Sequence, residues 1–207
     1  MKTKTFEVDS IEEALNQASV EFGISEEELI EKIISDKNEN GKMEVEITVC
    51  IDPVEKAKRY INQLLENNNV EGMLEKRVRD EAVEFNIDAG DFNGVLIGRN
   101  SHHLIALQTL VSSMINQYYD DEEQMVVKID VGGYRRRRES HLERMAVDFA
   151  KQVMKTKQVI KLDNLNSYER KIIHDRLSNW KGINTHSEGE APNRVLYIES
   201  SSKSNKE

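Results

Sequence analysis

The chain has 207 residues, of which 38% are hydrophobic and 32% are charged, and its formal net charge is −9 at pH 7. This length is enough for two or three small domains, each with a modest core. No apolar run approaches the roughly 20 residues of a membrane-spanning helix, and the first residues lack the apolar stretch of a signal peptide. Cys50 is the only cysteine, which excludes an internal disulfide. We therefore expect a cytoplasmic protein without membrane insertion.

Charge is distributed unevenly along the chain. Residues 1–52 carry 5 basic and 14 acidic side chains, residues 53–131 carry 8 and 14, and residues 132–207 carry 16 and 10. The last segment is therefore basic although the whole chain is acidic. Contacts with phosphate groups are expected there, whereas the acidic first segment is expected to face protein or solvent.

The first 52 residues predict a small module of strands and helices. Ser25 and Glu28 form a capping-box pattern, and apolar residues follow at helical spacing, so the local pattern predicts a helix over 26–34. The other predicted elements of this module are strands at 3–8 and 43–49, a helix from Asp9 or Ser10 to Phe22, and a turn at 38–41.

The middle of the chain predicts six elements in the order α-β-β-α-α-β. They are a helix at 53–66, strands at 70–78 and 81–87, a short helix holding Val95 to Ile97, a long helix from Leu104 to Ile115, and a strand at 125–131. The two consecutive helices are separated by a short loop that begins at Gly98.

The loop after Gly98 is the first candidate site for nucleic acid. Glycine lets the backbone approach a phosphate closely, Arg99 supplies charge, and the N-terminus of the following helix adds a partial positive charge. The second glycine of a G-x-x-G loop is replaced by Ser101, whose hydroxyl can donate a hydrogen bond but whose Cβ limits close approach. The predicted RNA-binding residues of this loop are Gly98, Arg99, Asn100, Ser101 and His102.

The last third of the chain is the second candidate site. It predicts a helix that follows Tyr134, a strand at 159–162, a helix at 166–180, strands at 183–188 and 194–199, and a polar, disordered tail. Arg170 and His174 share one face of their helix because they are four residues apart. The nucleic-acid-binding residues predicted here are Arg135, Arg136, Arg137, Arg138, Arg170, Lys171, His174 and Arg194.

Catalytic and metal chemistry find no pattern in the sequence. His102 and His103 are adjacent, so on a helix they diverge by about 100° and are poor partners for one metal ion. The acidic run at 120–123 is typical of a solvated turn. No nucleophile and base, and no phosphate-binding P-loop, occur at useful spacing. We therefore expect neither a cofactor nor a bound metal and no enzymatic activity.

These motifs resemble known nucleic-acid-binding domains. The Gly98 loop within its α-β-β-α-α-β order resembles a KH domain of the bacterial type, whose loop clamps about four nucleotides. Arg170 and His174, followed by Gly189-x-x-Pro192-Asn193-Arg194, resemble the R-x-x-x-H domain that binds single-stranded nucleic acid.

Together the modules resemble the Jag family of bacterial RNA-binding proteins. The resemblance implies an α+β protein with a Jag N-terminal domain at 1–52, a type II KH domain at 53–131, an R-x-x-x-H domain at 132–200 and a disordered tail at 201–207. It also implies a cytoplasmic regulator that binds single-stranded RNA, affects cell envelope growth and pairs with a second, small KH protein. Single-stranded DNA as a ligand and a homodimer stay open.

Two features depart from the family beside Ser101. The turn at 38–41 replaces the usual Lys-Gly-Phe-Leu-Gly-type turn, and the family implies a strand over part of 28–35, where the local cap favours a helix. An alternative function follows from the altered loop: an interaction scaffold, in which the KH domain serves protein pairing and RNA binding is secondary.

Overall fold

The structure is a computed structural model that describes residues 1–36, 41–190 and 193–201. The described chain is α+β, as predicted, and contains three sheets of three strands each. It groups into two compact units, the first made of Met1–Leu96 and His103–Gly132, the second of Ile97–His102 and Gly133–Glu207. Each sheet takes its strands from only one of the three predicted domains, whose boundaries stay a prediction.

The first sheet belongs to the N-terminal module. Its elements are β1 (Thr3–Val8), α1 (Ile11–Phe22), β2 (Leu29–Ser35) and β3 (Met43–Val49), with antiparallel strand order β1-β3-β2. The Ser10 hydroxyl caps α1 by accepting the backbone N–H of Glu13, and the helix ends at Gly23 with φ +68°. Ala14 and Ala18 are fully buried in the core of this module together with Val45 and Ile47.

The helix predicted over 26–34 is wrong. Only Glu26–Glu28 forms a single 3-10 turn, Ser25 makes no side-chain cap, and β2 follows at once. Pairing with β3 from Leu29 onward supplies a hydrogen-bond ladder that outweighs the local capping pattern, and the β-branched isoleucines of this segment suit a strand. The strand that the family resemblance implied is therefore confirmed. Of the turn predicted at 38–41, only Gly41 lies within the described residues.

The second sheet has the predicted element order. Its elements are α2 (Pro53–Asn67), β4 (Met73–Arg79), β5 (Ala82–Asp88), α3 (Asn93–Ile97), α4 (His102–Asn116) and β6 (Val126–Val131). β4 pairs antiparallel with β5, and β5 pairs parallel with β6. The Asp52 carboxylate caps α2 by accepting the backbone N–H groups of Val54 and Glu55. The first predicted strand starts three residues later than expected, at Met73.

Tyr118 joins the N-terminal module to the helices of the second sheet. It follows α4, is only 1% exposed, and belongs to the core of the N-terminal module. Its hydroxyl donates to Glu28 at 2.8 Å and accepts from Lys56 at 2.7 Å, while Lys56 also donates to Glu28 at 2.5 Å. The backbone N–H of Lys2 donates to the Tyr118 carbonyl. The first unit is thus held together by a closed triangle of polar groups.

The third sheet belongs to the second unit. Its elements are α5 (Tyr134–Thr156), β7 (Ile160–Leu162), α6 (Ser167–Leu177), β8 (Ile183–Glu188) and β9 (Val195–Ser200), with antiparallel strand order β7-β9-β8. The apolar face of α5 packs along the core, and α6 ends three residues before the predicted end. Buried on one side of the sheet are Leu142, Ala146, Ala150, Val153, Ile173, Leu177, Leu196 and Ile198. Residues 202–207 of the predicted tail lie outside the described residues.

The triangle around Tyr118 predicts a loss of stability at acid pH. Burial raises the pKa of Glu28, but the hydrogen bonds from Lys56 and Tyr118 outweigh it and leave that pKa below its ordinary value of 4.5. A lowered carboxyl pKa gives stability that is present above the ordinary value and lost as the pH falls through the lowered one. Glu28→Gln should therefore cost about 1–2 kcal/mol of unfolding free energy at neutral pH.

This cost is measured by urea unfolding of Glu28→Gln against the unmodified chain. It should shrink as the pH is lowered from about 6 to about 3, because protonation removes the same charge from the parent protein. Glu27→Gln, which changes an exposed neighbour, is the matched control and should be neutral. An equal cost for Glu28→Gln at both ends of this pH range contradicts the prediction.

Candidate nucleic-acid interface

The start of α6 positions the R-x-x-x-H pair. Asn166 and Glu169 form a complete capping box, in which each side chain accepts the other residue's backbone N–H. The next residue, Arg170, donates through Nη1 to the Leu165 carbonyl at 2.7 Å and through Nη2 to the Ser167 hydroxyl at 3.0 Å. The guanidinium is therefore fixed at the N-terminal end of α6 instead of moving freely in solvent.

His174 and Arg194 are both held against β8. His174 Nδ1 lies 2.7 Å from the Thr185 hydroxyl, and Arg194 Nη2 donates to the Ser187 carbonyl at 3.3 Å. Thr185 and Ser187 are two positions apart, so they lie on one face of the strand. Gly189 follows β8 directly, and its φ of +87° is a glycine conformation. Two of the predicted residues are thus brought to neighbouring points on β8.

Lys171 does not join this group. It lines a groove on the other side of α6 with Tyr168 and Asp175, and with Glu139 and Glu143 of α5. Successive helical residues diverge by about 100°, so Lys171 cannot share the face of Arg170 and His174. Its groove is also rich in carboxylates, which repel a phosphate. Lys171 is therefore a poor candidate for the same strand of nucleic acid.

The arginine run at the start of α5 contains two kinds of residue. Arg135, Arg136 and Arg137 are exposed. Arg138 instead donates through Nε at 2.7 Å to the Glu169 carboxylate, which is almost fully buried. A buried carboxylate requires a paired charge. Arg138 thus has a structural role, and its prediction as a nucleic-acid contact loses its basis.

The candidate loop between α3 and α4 has a backbone that explains Gly98. Gly98 has φ +68° and ψ 177°, a combination that is essentially restricted to glycine. Asn100 and Ser101 also have positive φ, of +51° and +63°. Arg99 and His102 are exposed, and His103 Nδ1 lies 2.7 Å from the Val95 carbonyl. Gly98, Arg99, Asn100 and His102 therefore form the accessible side of the loop.

Ser101 turns away from that side. It is only 6% exposed, and its hydroxyl oxygen lies 2.8 Å from the hydroxyl oxygen of Tyr134 in the first turn of α5. Its Cβ therefore does not obstruct a ligand in the way the sequence suggested. The same bond occupies the Tyr134 hydroxyl, a partner that sequence reasoning missed. The only available signal was that a polar residue replaces the expected glycine.

Metal and membrane sites find no support in the described residues. The acidic run is exposed, with Asp121–Glu123 in a 3-10 turn. No group of three or more metal-ligating side chains occurs within 1–36, 41–190 and 193–201. In the same part of the chain, no helix has the length and apolar character needed to cross a membrane.

Comparison with known proteins identifies the family. A family model for the R-x-x-x-H domain matches residues 140–199. The chain is 32% identical over 209 residues to "RNA-binding protein KhpB" of Bacillus subtilis, an alignment that covers 96% of this chain and 98% of that protein. The chain belongs to the KhpB, or Jag, family. This confirms the family resemblance and the R-x-x-x-H domain.

Two further KhpB relatives show the range of similarity. The protein of Clostridium symbiosum is 31% identical over 206 residues, covering 96% of this chain and 91% of the relative. The protein of Streptococcus pneumoniae strain D39 is 26% identical over 195 residues, covering 90% of this chain and 58% of the relative. Both carry the printed name RNA-binding protein KhpB.

The two kinds of arginine predict opposite phenotypes. Arg138→Met leaves the Glu169 carboxylate buried without its charged partner, so the free energy of unfolding should fall by about 1.5–3 kcal/mol. Arg136→Met, at an exposed position of the same helix, should stay within about 0.5 kcal/mol of the parent. Urea unfolding measures both. An Arg138→Met protein as stable as Arg136→Met would show that Glu169 does not depend on Arg138.

The Ser101–Tyr134 bond predicts an order among three variants. Ser101→Ala keeps a Cβ at positive φ and loses the bond, so it should cost about 1–2 kcal/mol. Ser101→Gly loses the bond but relieves the backbone, and should stay within about 0.5 kcal/mol of the parent. Tyr134→Phe in the Ser101→Ala background should add almost nothing.

The measurement is again urea unfolding, with Tyr168→Phe, an exposed tyrosine of the second unit, as the control for loss of a hydroxyl. Two outcomes contradict this account of the loop. One is a Ser101→Gly variant as unstable as Ser101→Ala, and the other is additive costs for Ser101→Ala and Tyr134→Phe.

Proposed function

We propose that this protein binds single-stranded RNA and acts as a non-enzymatic, cytoplasmic regulator of gene expression after transcription, linked to cell envelope growth. The observation that carries the proposal is the placement of Arg170, His174 and Arg194 around α6 and β8. The names of the KhpB relatives and the R-x-x-x-H domain match support RNA as the ligand.

The chemistry of this site suits a nucleic-acid backbone. Arg170 and Arg194 present positive charge that hydrogen bonds already hold in place, which reduces the entropy lost on binding phosphate. His174 is exposed, and with Nδ1 at Thr185 its Nε2 is directed to a ligand. Arg135, Arg136 and Arg137 extend the positive surface at the start of α5. Such contacts position the strand, whereas base contacts determine sequence preference.

The loop of Gly98, Arg99, Asn100 and His102 is the second contact region that we propose. The α-β-β-α-α-β order around it supports a KH domain, in which this loop holds the nucleic-acid backbone. Ser101 acts in this proposal through the shape of the loop and not as a direct ligand, because its hydroxyl is bonded to Tyr134.

Protein pairing is the second candidate function. Val95, Ile105 and Leu110 of α3 and α4 are large apolar residues that are 44–53% exposed, and they lie within the first unit. An exposed apolar stripe favours an interface. The resemblance implies a second, small KH protein as the partner, with a homodimer as the alternative. If RNA binding is secondary, Ile105→Glu should abolish association in light scattering while RNA affinity stays unchanged.

Alanine substitutions at Arg170 and His174 test the proposed function. Fluorescence anisotropy with a labelled single-stranded RNA should show at least a tenfold loss of affinity for the double variant. The slope of log affinity against log salt should fall by about 1, because one phosphate contact is lost. Arg176→Ala removes an exposed arginine from the opposite side of the same helix and should change affinity little.

The same titration with single-stranded DNA of equal sequence separates the two nucleic acids. Stronger binding of RNA supports the proposal, whereas equal or stronger binding of DNA replaces RNA as the preferred ligand. RNA affinity that the double variant leaves intact would remove α6 from the binding site.

A further inference from the structure

The outer face of the third sheet carries a row of three side chains that the site described above does not use. The strand register places Lys161 of β7 opposite Tyr197 of β9, and Tyr197 opposite His186 of β8. Their neighbours along the strands, such as Leu196 and Ile198, are buried on the other face. The three side chains therefore stand side by side across the whole sheet, away from the core.

The three side chains are in contact with one another. The rings of His186 and Tyr197 are stacked, with centroids 5.1 Å apart and planes inclined by 5°. Lys161 Nζ lies 5.3 Å from the centroid of the Tyr197 ring, within the range of a cation–π contact. Tyr197 is thus covered on both sides, whereas His186 has Tyr197 on one side and stands on the edge strand of the sheet. The outer face of the His186 ring is the open end of the stack.

Two carboxylates fix the orientation of the His186 ring. Its Nε2 lies 3.1 Å from Glu188 and its Nδ1 lies 3.5 Å from Glu199. Glu199 in turn accepts a hydrogen bond of 3.0 Å from the side-chain amide of Asn184. The His186 side chain is 38% exposed although both nitrogens face an acidic partner. An oriented, half-exposed ring is preorganised for a flat ligand because little conformational freedom remains to be lost.

We propose that Lys161, Tyr197 and His186 form a base-stacking platform, on which a nucleobase of single-stranded RNA extends the stack over the open face of His186. Every base has a flat π-face, so such stacking tolerates different sequences. Glu188 and Glu199 repel phosphates but accept hydrogen bonds from base amino groups, which favours a base over the backbone at this end. The platform deepens the proposed function and rests on it.

The platform lies close to the site on α6 but on the other side of β8. Thr185, which contacts His174, and His186 are consecutive, so their side chains point to opposite faces. Because β8 is an edge strand, no further strand blocks the way around it among the described residues. One RNA strand can therefore contact Arg170 and His174 with phosphates and pass the edge to stack a base on His186.

Three His186 variants in the full chain test the platform by RNA anisotropy at several salt concentrations. His186→Ala should weaken binding about 5- to 100-fold, the range for one stacked base. Its salt slope should stay unchanged because no phosphate contact is lost, in contrast to the α6 variant. His186→Phe, which keeps a ring, should bind within about threefold of the parent, while His186→Leu should resemble His186→Ala. Tyr168→Ala, an exposed aromatic on α6, is the control.

A second measurement locates the contact directly. RNA containing 4-thiouridine should crosslink under light to the peptide that spans β8, and the His186→Ala variant should lose this crosslink while it keeps crosslinks near α6. Thermal unfolding confirms that each variant is folded, and His186→Phe keeps the test decisive if removal of the ring disturbs the sheet.

The outcomes separate the platform from the proposed function. Unchanged RNA affinity of His186→Ala beside a weakened α6 variant overturns the platform and leaves the function intact. Equal losses for His186→Phe and His186→Ala also overturn it, because they assign His186 to its carboxylate contacts alone. A parent chain that does not bind RNA overturns the proposed function together with the platform.

Discussion

The geometry of the second unit depends on one buried carboxylate, that of Glu169. It accepts a hydrogen bond from Arg138 of α5 through Oε1 and from the Asn166 backbone through Oε2. A buried ion without such partners costs several kcal/mol, so the first turn of α5 and the first turn of α6 cannot move independently. Arg170 follows Glu169 directly and His174 lies one turn further. The direction of both side chains is therefore determined by a contact that no ligand touches.

Most elements followed from local patterns because local and tertiary preferences agree there. Asp52 before Pro53 and Asn166 before Glu169 are strong capping sequences, and the structure uses both. Ser25 and Glu28 show the limit of such patterns. The Glu28 side chain binds Lys56 and Tyr118, which are 28 and 90 residues away in the chain. A contact of that sequence separation leaves no periodic signal, so the capping pattern indicated a helix where the chain forms a strand.

The candidate site was predictable as a set of residue types but not as a set of roles. Arg138 and Arg136 are equivalent in sequence, yet only Arg138 neutralises a buried acid. Lys171 follows Arg170, but the helical rotation moves it to an acidic groove. The row of Lys161, Tyr197 and His186 was invisible because it forms across three strands that are distant in sequence. Charge composition identifies a basic region, whereas strand register and helix rotation decide which side chains share a surface.

The position of Tyr118 has a consequence for dissecting the chain into parts. This residue belongs by sequence to the α-β-β-α-α-β segment, but its ring completes the core of the N-terminal module. A fragment that ends at residue 52 would lack this ring, and a fragment that starts at residue 53 would expose it to water together with Lys56. Burial of an aromatic ring of this size contributes about 1.5–3 kcal/mol, a large share of the stability of a module this small. The N-terminal module is therefore not an interchangeable appendage, and a cut between the two segments would weaken both.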